Sequence, residues 1–274
     1  GQIAASWVIS PVLGGLIAAG FLYLIKRTIT YQDDMLASAR RMVPILVGIM
    51  ALAFASYLAL KGFKKIYKVD MPTALMIGSV VAIIIYYLSR PWVNRKSKKE
   101  SNDKAGVNSL FTIPLIFAAA MLSFAHGAND VANSIGPLAA IDDALTTHGI
   151  STKAHIPLWV MLVGAIGISL GLALYGPKLI KTVGSEITEL DKMRAFCIAL
   201  SAAITVIIAT QLGLPVSSTH IAVGAVFGVG FLREYLKRNY SRMMEEIQLH
   251  HMGRDKTDVE KFLEDFHAGN LEEK

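Results

Sequence analysis

Charge is scarce in this sequence. Only 18% of its 274 residues are Asp, Glu, Lys or Arg, where a soluble domain carries roughly a quarter. Hydrophobic residues make up 53% and the mean hydropathy is +0.48. Cysteine is nearly absent: Cys197 stands alone in an apolar run, forms no internal disulfide and says nothing about redox compartment. Acid is missing from every apolar stretch except at Asp130, and no Lys or Arg lies in those stretches to neutralise it. An intramembrane aspartyl protease needs two aspartates sharing a proton, so that reading fails on inventory. No GxxxxGK[ST] loop is present, which excludes pumping driven by a nucleotide bound to this chain. Internal repeats and low-complexity segments are also missing. The opening at Gly1 has no basic stretch ahead of its apolar run and does not read as a signal peptide.

What remains is a series of uncharged runs of membrane-spanning length, the mark of an all-α polytopic membrane protein located in the cell membrane. Spans are expected at residues 5–25, 43–60, 72–89 and 156–175. Tyr86, Tyr87 and Trp92 resemble an interfacial aromatic belt. Gly14 and Gly15 read as helix-packing positions. The net charge of +6 is no nucleic-acid signal, because the basic residues collect in loops. The loops at 26–42 and 90–108 hold four and six Lys or Arg, and that at 61–68 holds four. The first and third loops are therefore expected in the cytoplasm and residue 1 outside. His148 and His155 lie seven apart in a polar connection and match no compact metal-ligand pair.

Two runs are too long for one span. Residues 110–140 carry a single formal charge, Asp130, within HGANDVANSIGPLAA. Asn129 and Asn133 stand beside it, and Gly127, Gly136 and Pro137 are the places where the run is expected to bend. A carboxylate at membrane depth is a functional-site hypothesis by default. Residues 195–232 carry no formal charge at all; their punctuation is Gln211-Leu212-Gly213-Leu214-Pro215, followed by Val216-Ser217-Ser218-Thr219-His220. Proline and hydroxyl residues suit the start of a helix, whose free N–H groups attract anions. The tail, residues 233–274, differs in kind, with a capping box at Thr257 to Glu260 and an apolar stripe of Val259, Phe262, Leu263 and Phe266. Its histidines, His250, His251 and His267, read as solvated.

Paired broken helices with polar residues at the breaks are the expected sign of a transporter. Half-helix N-termini face an anionic substrate, while freed carbonyls and carboxylates hold a coupling cation. On this reading the cation site is Asp130 with Asn133, and Asn129, Ser217, Ser218 and Thr219 bind the anion. Each hydroxyl has an ordinary alternative in bonding its own backbone, and Asn133 one in linking helices. His126 and His220 are proton carriers or satisfied buried histidines. A passive anion channel is the alternative of a different class.

At GANDVAN (residues 127–133) and PVSSTH (residues 215–220) the chain resembles the inorganic phosphate transporter (PiT) family, which includes sulfate-transporting relatives. SWVISP at residues 6–11 and the stretch at 175–190 look like further family segments. The resemblance implies two inverted repeats and symport of phosphate coupled to sodium or protons, with sulfate as the alternative substrate. Asp130 is the place for a coupling sodium ion if sodium rather than protons drives transport; no other cofactor and no catalytic residues are implied. Partners would be the lipid bilayer, the other repeat and, compatibly, further copies of the protein; nucleic acid is not among them. The family carries each motif twice, whereas one copy of each stands here, so the chain reads as one repeat-length window of a longer transporter. The expected organisation is three helices over 1–89, a cytoplasmic polar loop over 90–109, a transport core over 110–232 and a cytoplasmic tail over 233–274.

Overall fold

The computed structural model describes residues 2–61, 69–147, 156–182 and 190–251. These residues are helical apart from short connections, and no strand occurs among them. The order is α1 (Gln2–Ile25), a π-helical turn (Lys26–Thr30), α2 (Met35–Lys61), α3 (Met71–Ser97), α4 (Lys104–Leu110), α5 (Thr112–Thr147), α6 (Leu158–Thr182), α7 (Lys192–Gln211) and α8 (Ser218–His251). Six of them, α1 to α3 and α5 to α7, are long and apolar enough to cross a membrane. Together with their lipid-like exposure of large side chains, as at Leu16, Ile83 and Leu174, this makes a multi-pass membrane protein.

The core is α7. Phe196, Leu200 and Val206 are fully enclosed there, while α6 buries only Val160 and Gly176. Helices α1 and α5 pack on α7, and α2 pairs with α3 as an antiparallel hairpin. Ser201 of α7 donates to the Gly14 carbonyl of α1 at 3.0 Å. Gly14 and Gly15 do pack closely, against Ile221 and Gly224 of α8. A Cβ on Gly224 would strike the Pro11 backbone, and one on Gly228 the Gly15 backbone. Close backbone approach through glycine suits association in lipid, where burial of apolar surface offers no drive.

Polar side chains tie together the helix ends on one face of the bundle. Asn102, before α4, accepts from Leu36 N–H at 3.0 Å and donates to the Asp33 carbonyl at 3.3 Å. Asn108 accepts from Met193 N–H at 3.1 Å, and Lys192 donates to Thr112 at 3.0 Å. The loops after α1 and α3 therefore share a face with the start of α7. Asp103 caps α4 by accepting from Gly106 N–H at 2.7 Å, and Asp191 caps α7 through Arg194 N–H at 2.7 Å.

Two boundaries differ from expectation. Helix α3 continues past Ser89, through Pro91, to Ser97. Polar residues end the apolar pattern without ending the helix, because Arg95 and Lys96 in the last turn favour the negative end of the helix dipole. The segment expected as loop also holds α4. The lysines at 64, 65 and 68, His148, His155 and the capping box at Thr257 lie outside the described residues. The chain divides into Gly1–Gly230 and Phe231–Lys274; the described part of the second unit is the helical stretch ending at His251.

Of the two expected breaks, only the second is present. Helix α7 stops at Gln211, Gly213 adopts φ +68°, and α8 starts at Ser218. That left-handed φ is what glycine permits, and Pro215 gives no N–H that would prolong α7. The first run, by contrast, is continuous helix from Thr112 to Thr147, through Gly127, Gly136 and Pro137. At 1.5 Å per residue α5 is about 54 Å long, more than the roughly 30 Å hydrocarbon layer. Neither glycine leaves the right-handed region, and Pro137 removes one N–H, the one that would reach the Asn133 carbonyl. The proline leaves the Asn133 carbonyl without its helical donor but does not end α5.

Candidate functional site

The helical repeat places His126, Asn129, Asp130 and Asn133 on one face of α5, at spacings of three and four. That face meets the broken connection between α7 and α8. Ser218, in the first turn of α8 and buried, donates to the Asp130 carboxylate at 3.1 Å and 3.3 Å. His126 Nδ1 lies 3.1 Å from Asp130 Oδ2 and makes a short hydrogen bond with Ser218 Oγ. A serine hydroxyl has one hydrogen. With that hydrogen on Asp130, the His126 ring must donate from Nδ1, shared between the serine oxygen and the carboxylate. Nε2 then remains as an acceptor in the neutral ring.

The asparagines fasten α5 to both sides of the break. Asn129, 4% exposed, donates to Thr210 Oγ1 at 3.1 Å. Asn133 donates to Asn129 Oδ1 at 3.0 Å and to the Val216 carbonyl at 3.2 Å. Thr210 donates in turn to the Val206 carbonyl at 2.8 Å. Ser217 accepts from His220 N–H at 3.3 Å, as an N-cap does, and keeps its own hydrogen to donate. The first N–H groups of α8, including those of Ser218 and Thr219, have no intrahelical acceptor.

The centre therefore holds carboxylate, carboxamide, hydroxyl and carbonyl oxygens beside a helix N-terminus. Hard oxygen donors suit an alkali cation, and the N-terminal N–H groups suit an oxyanion. Asp130 and His126 are about one-third exposed, so solutes reach the carboxylate.

Five of the six residues expected in the site lie at this junction: Asn129, Asp130, Asn133, Ser217 and Ser218. Thr219 does not join them, because its side chain is exposed and makes no hydrogen bond with the cluster among the described residues. The next helical position after Ser218 points about 100° away, which is the reason. His126 proves to be part of the hydrogen-bonded centre, whereas His220 is exposed. Sequence reasoning missed Thr210, and beside it the Gln211 side-chain nitrogen is buried with no hydrogen-bond partner among the described residues. A donor in that state at the end of a broken helix fits a bound solute or water.

Comparison with known proteins places the chain as a whole. The family model described as "Phosphate transporter family" matches residues 1–254. A protein of Helicobacter pylori (strain J99), named "Putative phosphate permease", is 58% identical over 280 residues, covering 99% of this chain and 52% of its own length. A relative under the same description from Pyrococcus abyssi is 34% identical over 234 residues, covering 85% of this chain and 56% of itself. A solved structure described as "The sodium-dependent phosphate transporter" matches with a TM-score of 0.76 at 35% identity, over 84% of this chain and 57% of that one. The chain thus spans about half the length of the curated relatives it matches. These relatives are named as transporters, not enzymes. The chain belongs to the phosphate transporter family.

Proposed function

We propose that the chain supplies a cation- and phosphate-binding centre of a symporter that moves inorganic phosphate with sodium. One observation carries the reading: the intramembrane carboxylate of Asp130 is bonded to Ser218 at the first turn of a half-helix that follows a break. Asp130 and Asn133, whose carbonyl lacks the Pro137 donor, hold the cation. Asn129, Ser217, Ser218 and the first N–H groups of α8 receive the phosphate. Thr219 contributes its backbone N–H rather than its hydroxyl.

The arrangement suggests why the two solutes would travel together. Phosphate and the Asp130 carboxylate repel at such separations, and the low dielectric of a membrane interior strengthens that repulsion. A cation between them removes it, so each ligand raises the affinity for the other. The sodium dependence for which the structural relative is named favours sodium over protons; the His126–Asp130 pair is where a proton would be held instead. The basic loops after α1 and α3 lie in the cytoplasm on this reading.

The test is accumulation of labelled phosphate in proteoliposomes of the full-length native protein under an imposed sodium or proton gradient. Concentration of phosphate driven by sodium supports the proposal. Drive by protons alone would replace sodium as the coupling ion, preference for sulfate would replace the substrate, and equilibration without concentration would identify a channel.

A further inference from the structure

A basic pocket lies away from the proposed transport centre, at the end of the α2–α3 hairpin. A pocket of about 240 Å³ is lined there by Ala37, Arg40, Arg41, Tyr86, Arg90 and Asn94. Three arginines line one small hollow, and none of them pairs with a carboxylate among the described residues. The nearest acid in sequence, Asp34 just ahead of α2, is engaged in capping that helix through Ala37 N–H at 2.8 Å. Arg41 also lines a neighbouring hollow of about 760 Å³ together with Arg27 and Tyr31, so a fourth arginine borders the same charge.

Like charges gathered without acids repel one another, and an anion that bridges them relieves this. Arg matches phosphate oxygens in bidentate fashion, while Tyr86 and Asn94 add a hydroxyl and an amide as neutral donors. The surroundings define the kind of anion. One turn into the bundle from Arg41 is exposed Ile45, and within two turns before Arg90 on α3 are exposed Ile83, Tyr87 and Leu88. A basic pocket bordered by exposed apolar side chains, in a protein that spans a membrane, suits a ligand with a charged head and apolar tails.

We propose that Arg40, Arg41 and Arg90 bind the phosphate headgroup of an anionic membrane lipid, whose acyl chains lie along Ile45 and Ile83. Anionic lipids attract basic residues near the membrane surface with an energy equivalent to about fivefold in affinity per charge. Arg40 is half-buried and lines the pocket.

The experiment is native mass spectrometry of the purified full-length protein titrated with phosphatidylglycerol, and with phosphatidylcholine for comparison. Wild-type protein should retain phosphatidylglycerol preferentially. The triple variant Arg40→Gln, Arg41→Gln, Arg90→Gln should lose roughly a hundredfold in apparent affinity, and Arg90→Gln alone about fivefold. The single variant keeps the test valid if the triple variant misfolds. A control with equal charge removed nearby, Arg95→Gln, Lys98→Gln, Lys99→Gln, should bind as wild type within a few-fold. Equal loss in that control would reduce the effect to bulk charge and overturn the pocket. Unchanged binding in the Arg40, Arg41 and Arg90 variants would overturn it as well. Displacement of the lipid by millimolar inorganic phosphate would show a site for the free ion and would also overturn the lipid assignment.

Discussion

Ser218 donates its hydroxyl hydrogen to Asp130 across 88 positions of sequence, at 3.1 Å from one carboxylate oxygen. The bond joins the one acid of the apolar runs to the first turn of a helix that begins inside the bundle. Asp130 sits on an unbroken helix and Ser218 just beyond a break, so the bond joins two differently built elements. Substitutions on the two sides of the bond should therefore act differently.

Asp130→Asn keeps the size of the side chain and an oxygen that accepts from Ser218, but removes the charge. The variant should insert in the membrane as wild type does. Its phosphate uptake should lose sodium dependence, with apparent sodium affinity down by roughly thirtyfold to a hundredfold, the scale of one charged hydrogen-bonding partner. Sodium titration of labelled phosphate uptake checks this, and a wild-type sodium curve in the variant would remove Asp130 from the cation site.

Ser218 and Thr219 are adjacent, yet one is buried on the carboxylate and the other exposed. Ser218→Ala leaves Asp130 without its hydroxyl donor and should lower sodium and phosphate affinity by about tenfold to a hundredfold. Thr219→Val should change either by less than about threefold, as exposed substitutions do. Paired uptake measurements on the two variants decide the point, and the reverse order of effects would contradict the assigned geometry.

How much of this is legible in the sequence depends on the length scale of each signal. The face formed by His126, Asn129, Asp130 and Asn133 can be read because helical spacing is local, and polar residues are conspicuous in an apolar run. The break at Gly213 and Pro215 can be read because both residues restrict the backbone in known ways. The continuity of α5 cannot: run length marks where a helix exceeds the bilayer, not whether it stops. Thr210 cannot either. A threonine in an apolar helix usually bonds the carbonyl four residues before it, and Thr210 does so with Val206; its use as acceptor for Asn129 exists only after α5 and α7 have packed. Thr219 misleads for the opposite reason, because a hydroxyl-rich triplet reads as a unit although a helix splits it between faces.

The cap of α4 predicts a pH dependence outside the membrane. Gly106 N–H and the Ser101 hydroxyl, both bonded to Asp103, hold its carboxyl below the usual carboxylate range. A folded-state pKa that is depressed contributes stability above the unfolded value, and this is lost as pH falls through the folded value. Hydrogen exchange at the Gly106 amide should therefore be slow at neutral pH and accelerate, beyond its intrinsic trend, below about pH 4. In Asp103→Asn that extra acceleration should vanish. Identical pH profiles for variant and wild type would show that the carboxylate does not hold the helix start.

The position of Ser218 depends on how α8 lies against α1, and two glycines set that distance. Gly224 and Gly228 leave no room for a Cβ, because the backbone of Pro11 and Gly15 occupies it, whereas Gly20 of α1 faces open space. Gly20→Ala and Gly224→Ala make the same chemical change in the same type of secondary structure, so the gain in helix propensity, up to about 1 kcal/mol, is common to both. Their difference isolates packing. Gly20→Ala should leave the thermal midpoint in detergent unchanged or raised. Gly224→Ala should lower it, by the roughly 1–3 kcal/mol that overpacking costs. If α8 instead yields by sliding outward, Ser218 moves off Asp130, and the cost appears as weaker sodium and phosphate binding with a smaller loss of stability. Measuring midpoint and affinity together separates the two responses. A Gly224→Ala protein with both the midpoint and the affinity of Gly20→Ala would show that α1 does not hold α8 in place.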